Sequence, residues 1–167
     1  QCMLWQTSPA ATEMETRITG WLQKMTGLPT DLHGVIQDSA SSATLCALLT
    51  AREKATDWRT NKEGMNSLSS SLIVYTSEEA HSSTEKGAKI AGFGKDSVRL
   101  IRTGNNFEMC SEALERTILE DISNGYTPAC VVASMGTTGV GATDPLKAIG
   151  QLCKEYEIFL HVDAAWA

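Results

Sequence analysis

Four short stretches of this 167-residue chain combine residue types that can do chemistry. The strongest is Asp163, which closes the apolar run Ile158-Phe-Leu-His-Val. A carboxylate there is costly to bury alone, so it asks for a fixed cationic partner: a metal, an arginine or a protonated ring nitrogen. The second is Ser39-Ala40-Ser41-Ser42, where a strand is expected to run into a helix. Unpaired amides and the positive end of the helix dipole favour an anion such as phosphate at that point; the simpler alternative is that one serine merely caps the helix. The third is His81, followed by Ser82 and Ser83 at a helix start, from which its ring can lie over the strand ends. The fourth is Gly136-Thr137-Thr138-Gly139, where glycines allow close backbone approach to something flat or bulky and both threonine hydroxyls are expected to face it.

Elements that alternate along the chain must position these residues. Ser8, Pro9 and the later Gly27 and Pro29 bracket a first helix with an apolar stripe of Met14, Ile18, Trp21, Leu22 and Met25, which reads as core or subunit contact. Strands are expected at Val35-Gln37, Leu72-Thr76, Val98-Ile101 and Ala129-Ser134, and a fifth ends at Asp163. Helices are expected at about 43–54, near Ala80, at Ser111-Asn124 and after Asp144-Pro145, where the aspartate is read as cap. Short, strongly apolar strands separated by helices define an α/β fold with a mostly parallel sheet flanked by helices on both faces. In such sheets ligands sit beyond the carboxyl ends of the strands, which is where all four stretches fall.

Composition narrows the function further. A net charge of −6 and the absence of a Lys/Arg cluster make nucleic acid an unexpected partner. No run of about 18 apolar residues suggests a membrane span, and no secretory leader is evident, so a cytoplasmic location is expected. The five cysteines are an odd, widely spaced set without a C-x-x-C pair and read as reduced thiols. The chain starts at Gln1 and stops at Ala167, directly after an apolar strand, and is therefore expected to be a piece of a longer protein.

Three ligand chemistries suit these residues. Gly139, Gly141 and Asp163 imitate a dinucleotide fingerprint, but Met135-Gly-Thr-Thr intervenes after the strand and Asp144 takes the third glycine position, so an NAD(P)-dependent oxidoreductase is the weaker alternative. His81, His161 and Asp163 are a metal-site alternative whose spacing is not diagnostic, and no metal is expected. A planar, phosphorylated ring with a protonated nitrogen uses every stretch at once, which is the description of pyridoxal phosphate.

The segments Trp5-Gln-Thr-Ser-Pro-Ala-Ala-Thr-Glu-Met-Glu15, Gly34-Val-Ile-Gln-Asp-Ser-Ala-Ser-Ser-Ala-Thr-Leu45, Tyr75-Thr-Ser-Glu-Glu-Ala-His-Ser-Ser83, Met135-Gly-Thr-Thr138 and His161-Val-Asp-Ala-Ala-Trp166 resemble, in this order, the group II pyridoxal-phosphate decarboxylases, and most of all the aromatic-L-amino-acid decarboxylases. The resemblance covers essentially the whole chain. It implies that the chain is part of the large domain of a fold-type I pyridoxal-phosphate enzyme, working as a homodimer on an aromatic L-amino acid. It also implies that Ala40 and Ser41 bind the phosphate, that His81 stacks on the ring, that Thr138 and Ala165 contact the cofactor, and that Asp163 pairs with the ring nitrogen. His81 and Asp163 are the implied catalytic pair.

Departures from the family pattern are local. Asp38 stands where many members carry glycine, Met3 where animal aromatic decarboxylases tend to carry a phenylalanine that reaches a neighbouring subunit, and Trp166 where tyrosine is commoner. The lysine with which members form a Schiff base lies a few tens of residues beyond the Asp-Ala-Ala motif. None of Lys86, Lys89, Lys95, Lys147 or Lys154 matches it, so this stretch alone is expected not to catalyse. Related aldehyde-forming enzymes share the same motifs.

Overall fold

The computed structural model describes residues 4–167. Met3 lies outside them, and so does the expectation attached to it. The chain forms two units, residues 1–38 and 39–167.

In the first unit, helix α1 (Pro9–Thr26) starts at the predicted proline and ends at Gly27, whose φ of 69° is the left-handed conformation glycine tolerates best. None of its residues is buried. The strand expected at Val35-Gln37 does not form. The backbone N–H of Ile36 donates instead to the Glu15 carboxylate at 2.7 Å, and no strand among the described residues pairs with it.

The second unit is an α/β layer structure. Its elements are α2 (Ala40–Ala55), α3 (Arg59–Glu63), β1 (Leu72–Ser77), α4 (Ser83–Ile90), β2 (Val98–Ile101), α5 (Ser111–Ser123), β3 (Thr127–Ser134), α6 (Leu146–Glu155) and β4 (Phe159–Asp163). The four strands pair in the order β2-β1-β3-β4, every pair parallel. The expected fold class is thus observed, with four strands rather than five.

Both faces of the sheet are apolar, because alternate residues of each strand serve opposite layers. Ile73, Tyr75, Val131 and Ala133 pack with Leu114, Ile118 and Ile149 of α5 and α6. Val74, Cys130 and Val132 pack with Leu48, Ala51 and Ala88 of α2 and α4. A register shift at Ile73/Val74 leaves Ala129 without a partner on β1, a bulge near the start of β3 that leaves the strand ends aligned. Helices α2 and α4 approach closely at Gly87, where a Cβ would stand 3.0 Å from the Leu48 side chain. At the edge of the sheet Arg99 of β2 holds the buried Asp121 of α5 through three guanidinium hydrogen bonds of 2.7–3.1 Å. No helix among the described residues is long and apolar enough to cross a membrane.

The Arg99–Asp121 pair anchors α5 and lies apart from the strand-end cavity described below. Asp121→Asn keeps the shape and removes the charge, and should lower unfolding free energy by about 1–3 kcal/mol. Urea denaturation monitored by circular dichroism checks this; an unchanged midpoint would show that the pair is dispensable.

Candidate functional site

Parallel pairing places the carboxyl ends of β1, β3 and β4 side by side. Thr76 lies opposite Val132, and Ser134 lies opposite Asp163. The next residue, Met135, donates its N–H to the Asp163 carbonyl at 2.8 Å, so the ends of β3 and β4 are tied together. A cavity of about 320 Å³ opens at this edge. All six residues expected to meet the cofactor, Ala40, Ser41, His81, Thr138, Asp163 and Ala165, line it. No lysine does. A larger hollow of about 670 Å³ lies at the other end of the sheet, against Thr127, Pro128 and Phe159 at the strand starts. Ligands of parallel sheets do not gather at that end.

Helix α2 begins three residues earlier than expected, because Ser39 takes the cap. Its Oγ accepts the Ser42 N–H at 3.2 Å, and its carbonyl accepts the Ala43 N–H at 3.0 Å. The capping reading is thus observed at Ser39, and the cap leaves the first amides of the helix unspent. Ser39 caps, while the N–H groups of Ala40 and Ser41 meet no acceptor among the described residues and stand free at the positive end of a 16-residue helix.

His81 precedes α4. Its Nδ1 accepts the Ser83 backbone N–H at 3.2 Å and lies 2.9 Å from the Ser83 hydroxyl. An Nδ1 that accepts carries no proton, so the neutral ring holds its proton on Nε2. Asp163 is half-buried, and its Oδ1 accepts the Ala165 N–H at 3.2 Å. Ala165 thus fixes the carboxylate's direction through its backbone. Beneath it on the same strand face, His161 Nε2 lies 3.4 Å from the hydroxyl of Thr44, a residue one turn into α2 from Ala40 and Ser41. Burial lowers the pKa of His161, and the Asp163 charge pulls it partly back. A metal cluster of His81, His161 and Asp163 is not assembled: among the described residues no three His, Cys, Asp or Glu side chains converge on a point.

The loop from Ser134 to Asp144 is a closed hairpin. Met135 bridges Thr143, and the N–H groups of Gly136 and Thr137 both donate to the Ala142 carbonyl. Both threonines line the cavity, but the Thr137 hydroxyl is buried and accepts the Ala142 N–H at 3.0 Å, bracing the loop, whereas the Thr138 hydroxyl is exposed. Gly136 has φ 88°, and a Cβ on it would stand 3.2 Å from that of Trp166, so only glycine lets Trp166 close this side. The dinucleotide fingerprint fails here on geometry. Gly139 and Gly141 sit at the hairpin tip, whereas α6 starts only at Leu146. Asp144 is not the cap of α6 either. Its carboxylate points inward to the N–H groups of Met109 and Ser134. Sequence reasoning missed Ser134, although its place at a strand end marked it, and Thr44, which it quoted only within the Gly34–Leu45 motif.

The cavity therefore offers free helix-terminal amides, a carboxylate and an imidazole on different walls. A phosphate, a cationic ring nitrogen and an aromatic face fit that set. Comparison with known proteins agrees. The family model for the pyridoxal-dependent decarboxylase conserved domain matches residues 1–167, and the chain belongs to that family. Tyrosine decarboxylase 4 of Petroselinum crispum is 40% identical over 98% of the chain, and histidine decarboxylase of Mus musculus is 42% identical over 98%. These alignments take in 33% and 26% of the two relatives, so the chain spans about a third or less of their length. Among solved structures, the Catharanthus roseus tryptophan decarboxylase complex with L-tryptophan superposes with a TM-score of 0.86 at 34% identity, over 95% of this chain and 34% of that one. The resemblance read from the motifs is thus borne out for family and fold, and so is the pyridoxal phosphate cofactor.

The lowered pKa of His161 has a sign. A depressed folded-state pKa contributes stability above the ordinary histidine value of about 6.5 that is lost as pH falls through the folded value. Melting temperature should therefore drop between about pH 7.5 and 5.5 by more in the wild-type protein than in His161→Gln; parallel slopes would refute the linkage.

Proposed function

We propose that the protein to which this chain belongs decarboxylates an aromatic L-amino acid to its amine and carbon dioxide, using pyridoxal phosphate held in the strand-end cavity. The observation that carries this is the meeting of the free Ala40 and Ser41 amides, His81 and Asp163 around one 320 Å³ space. The named relatives support the substrate class, since tyrosine, tryptophan and histidine decarboxylases all occur among them.

When bound, the cofactor supplies an electron-accepting ring that draws the pair from a breaking Cα–carboxylate bond. The chain's residues do the rest. Ala40 and Ser41 donate their N–H groups to the phosphate at the positive helix end. Asp163, oriented by the Ala165 N–H, keeps the proton on the ring nitrogen, because a facing carboxylate favours the charged form. His81, on the cavity wall, would hold the ring by stacking on it. Its Nε2 proton, fixed by the Ser83 bond to Nδ1, is the one available for transfer to or from substrate. Thr138 offers its hydroxyl from the loop, and Trp166 walls the substrate side with an apolar surface.

A homodimer is part of this reading. The stripe of α1 leaves Trp21 and Met25 exposed at 58% and 80%, an apolar surface suited to a second subunit. The cytoplasm is the expected compartment, which the unbridged state of Cys46, Cys110, Cys130 and Cys153 among the described residues fits. An aldehyde-forming variant of the reaction has support in 4-hydroxyphenylacetaldehyde synthase of Rhodiola rosea, 35% identical over 97% of the chain.

The full-length gene product, loaded with pyridoxal phosphate, should release carbon dioxide from L-tyrosine, L-tryptophan or L-histidine with the amine as co-product. Aldehyde in place of amine would select the synthase reaction, and no release from any of them would sink the proposal. Asp163→Ala should lower kcat/KM on the order of a hundredfold or more, with a far smaller loss of fold stability. Equal losses in both would make Asp163 structural.

A further inference from the structure

Asp144 is 2% exposed, and no lysine, arginine or histidine side chain pairs with it among the described residues. Each of its oxygens accepts a backbone N–H, Oδ1 from Met109 at 2.7 Å and Oδ2 from Ser134 at 2.6 Å. Its own N–H donates to the Ser134 carbonyl at 2.9 Å, so Asp144 and Ser134 are locked reciprocally at the base of the hairpin. Ser134 lies opposite Asp163 on the neighbouring strand, and Met135 donates to the Asp163 carbonyl. On the strand of the hairpin that rises from Ser134, Gly136 and Thr138 line the cavity, as does Ser134 itself. Met109 brings in a third segment, the one that leads from β2 into α5.

Burial of a carboxylate without a cation is costly, and it raises the pKa of this one against the pull of the two N–H bonds. The residue type matters because only a carboxylate accepts at both oxygens and donates at neither. Asparagine would set an NH₂ group against one of the two N–H donors. Nothing in the decarboxylase mechanism above uses Asp144, yet its side chain ties the base of the loop carrying Thr138 to β3, the strand that pairs with the one carrying Asp163.

We propose that Asp144 is a positioning residue for the cofactor: through Ser134 and Met109 it sets the height of the 135–143 hairpin, and hence Gly136 and Thr138, against Asp163. This rests on the pyridoxal phosphate reading of the cavity. Sites of this kind need their groups held within about half an ångström, which a hairpin hinged at one free end does not provide.

The test uses the full-length protein stripped of cofactor and titrated with pyridoxal phosphate, with binding read by quenching of intrinsic fluorescence and fold by the melting temperature of the stripped form. Asp144→Asn should raise the cofactor Kd by about tenfold or more, as loss of a supporting partner does in other preorganised sites. Asp121→Asn, an equally buried carboxylate removed from the cavity, should lower the melting temperature and leave Kd within about twofold. Wild-type affinity in Asp144→Asn, or an equal loss in Asp121→Asn, would overturn the proposal. Should Asp144→Asn fail to fold, Asp144→Ser decides, because it removes both accepting oxygens at a residue that does not line the cavity; an unchanged Kd there counts against the proposal and a severalfold rise supports it. Failure of the wild-type protein to bind pyridoxal phosphate would overturn the cofactor reading itself.

Discussion

Everything at the functional edge of this molecule depends on one constraint: a parallel sheet buried on both faces leaves polar side chains open to a ligand only where its strands stop. β1 and β3 are buried along their length, apart from the first two residues of β3, and their alternate residues serve two separate apolar layers. A charged or hydroxylic residue in mid-strand would face a helix on either side. At the carboxyl ends the layers run out, and there the chain places Ser134 and Asp163, with the His81 turn following β1. Parallel pairing turns these separate solutions into one neighbourhood. The same topology brings the N-terminus of α2 to that edge, with its unpaired amides.

The electrostatics of the cavity follow from this arrangement. Its α2 wall presents the positive end of a helix and its β4 wall presents a carboxylate. A ligand that is anionic at one end and cationic at the other matches both walls, whereas an anion or a cation alone satisfies one and is opposed by the other. Burial favours the neutral form of His161, so the polar contact between α2 and β4 adds little positive charge to compete for Asp163. The Asp163 carboxylate is thereby left to the ligand.

Much of this was legible in the sequence because it is written in local chemistry. The apolar runs that became β1 to β4, the Pro9 and Gly27 limits of α1 and the chemistry-bearing residues at strand ends all follow from periodicity and end signals. The motif resemblance then fixed the family. The errors arose where a long-range partner decided the outcome. Val35-Ile-Gln37 has strand composition, but the Glu15 carboxylate takes the Ile36 N–H. Asp144-Pro145 has the look of a helix cap, but two backbone donors from distant segments claim the carboxylate. Thr137 and Thr138 are the same residue type side by side, and only the fold of the hairpin shows that one hydroxyl closes the loop while the other is exposed.

The central claim is that the space between the start of α2 and the end of β4 is shaped for a phosphorylated, ring-protonated cofactor. The most direct measurement is a crystal structure of the full-length protein with pyridoxal phosphate bound. The account predicts the phosphate on the Ala40 and Ser41 amides and the ring nitrogen within hydrogen-bond distance of an Asp163 oxygen. A cofactor seated elsewhere, or one whose ring nitrogen faces away from Asp163, would contradict it.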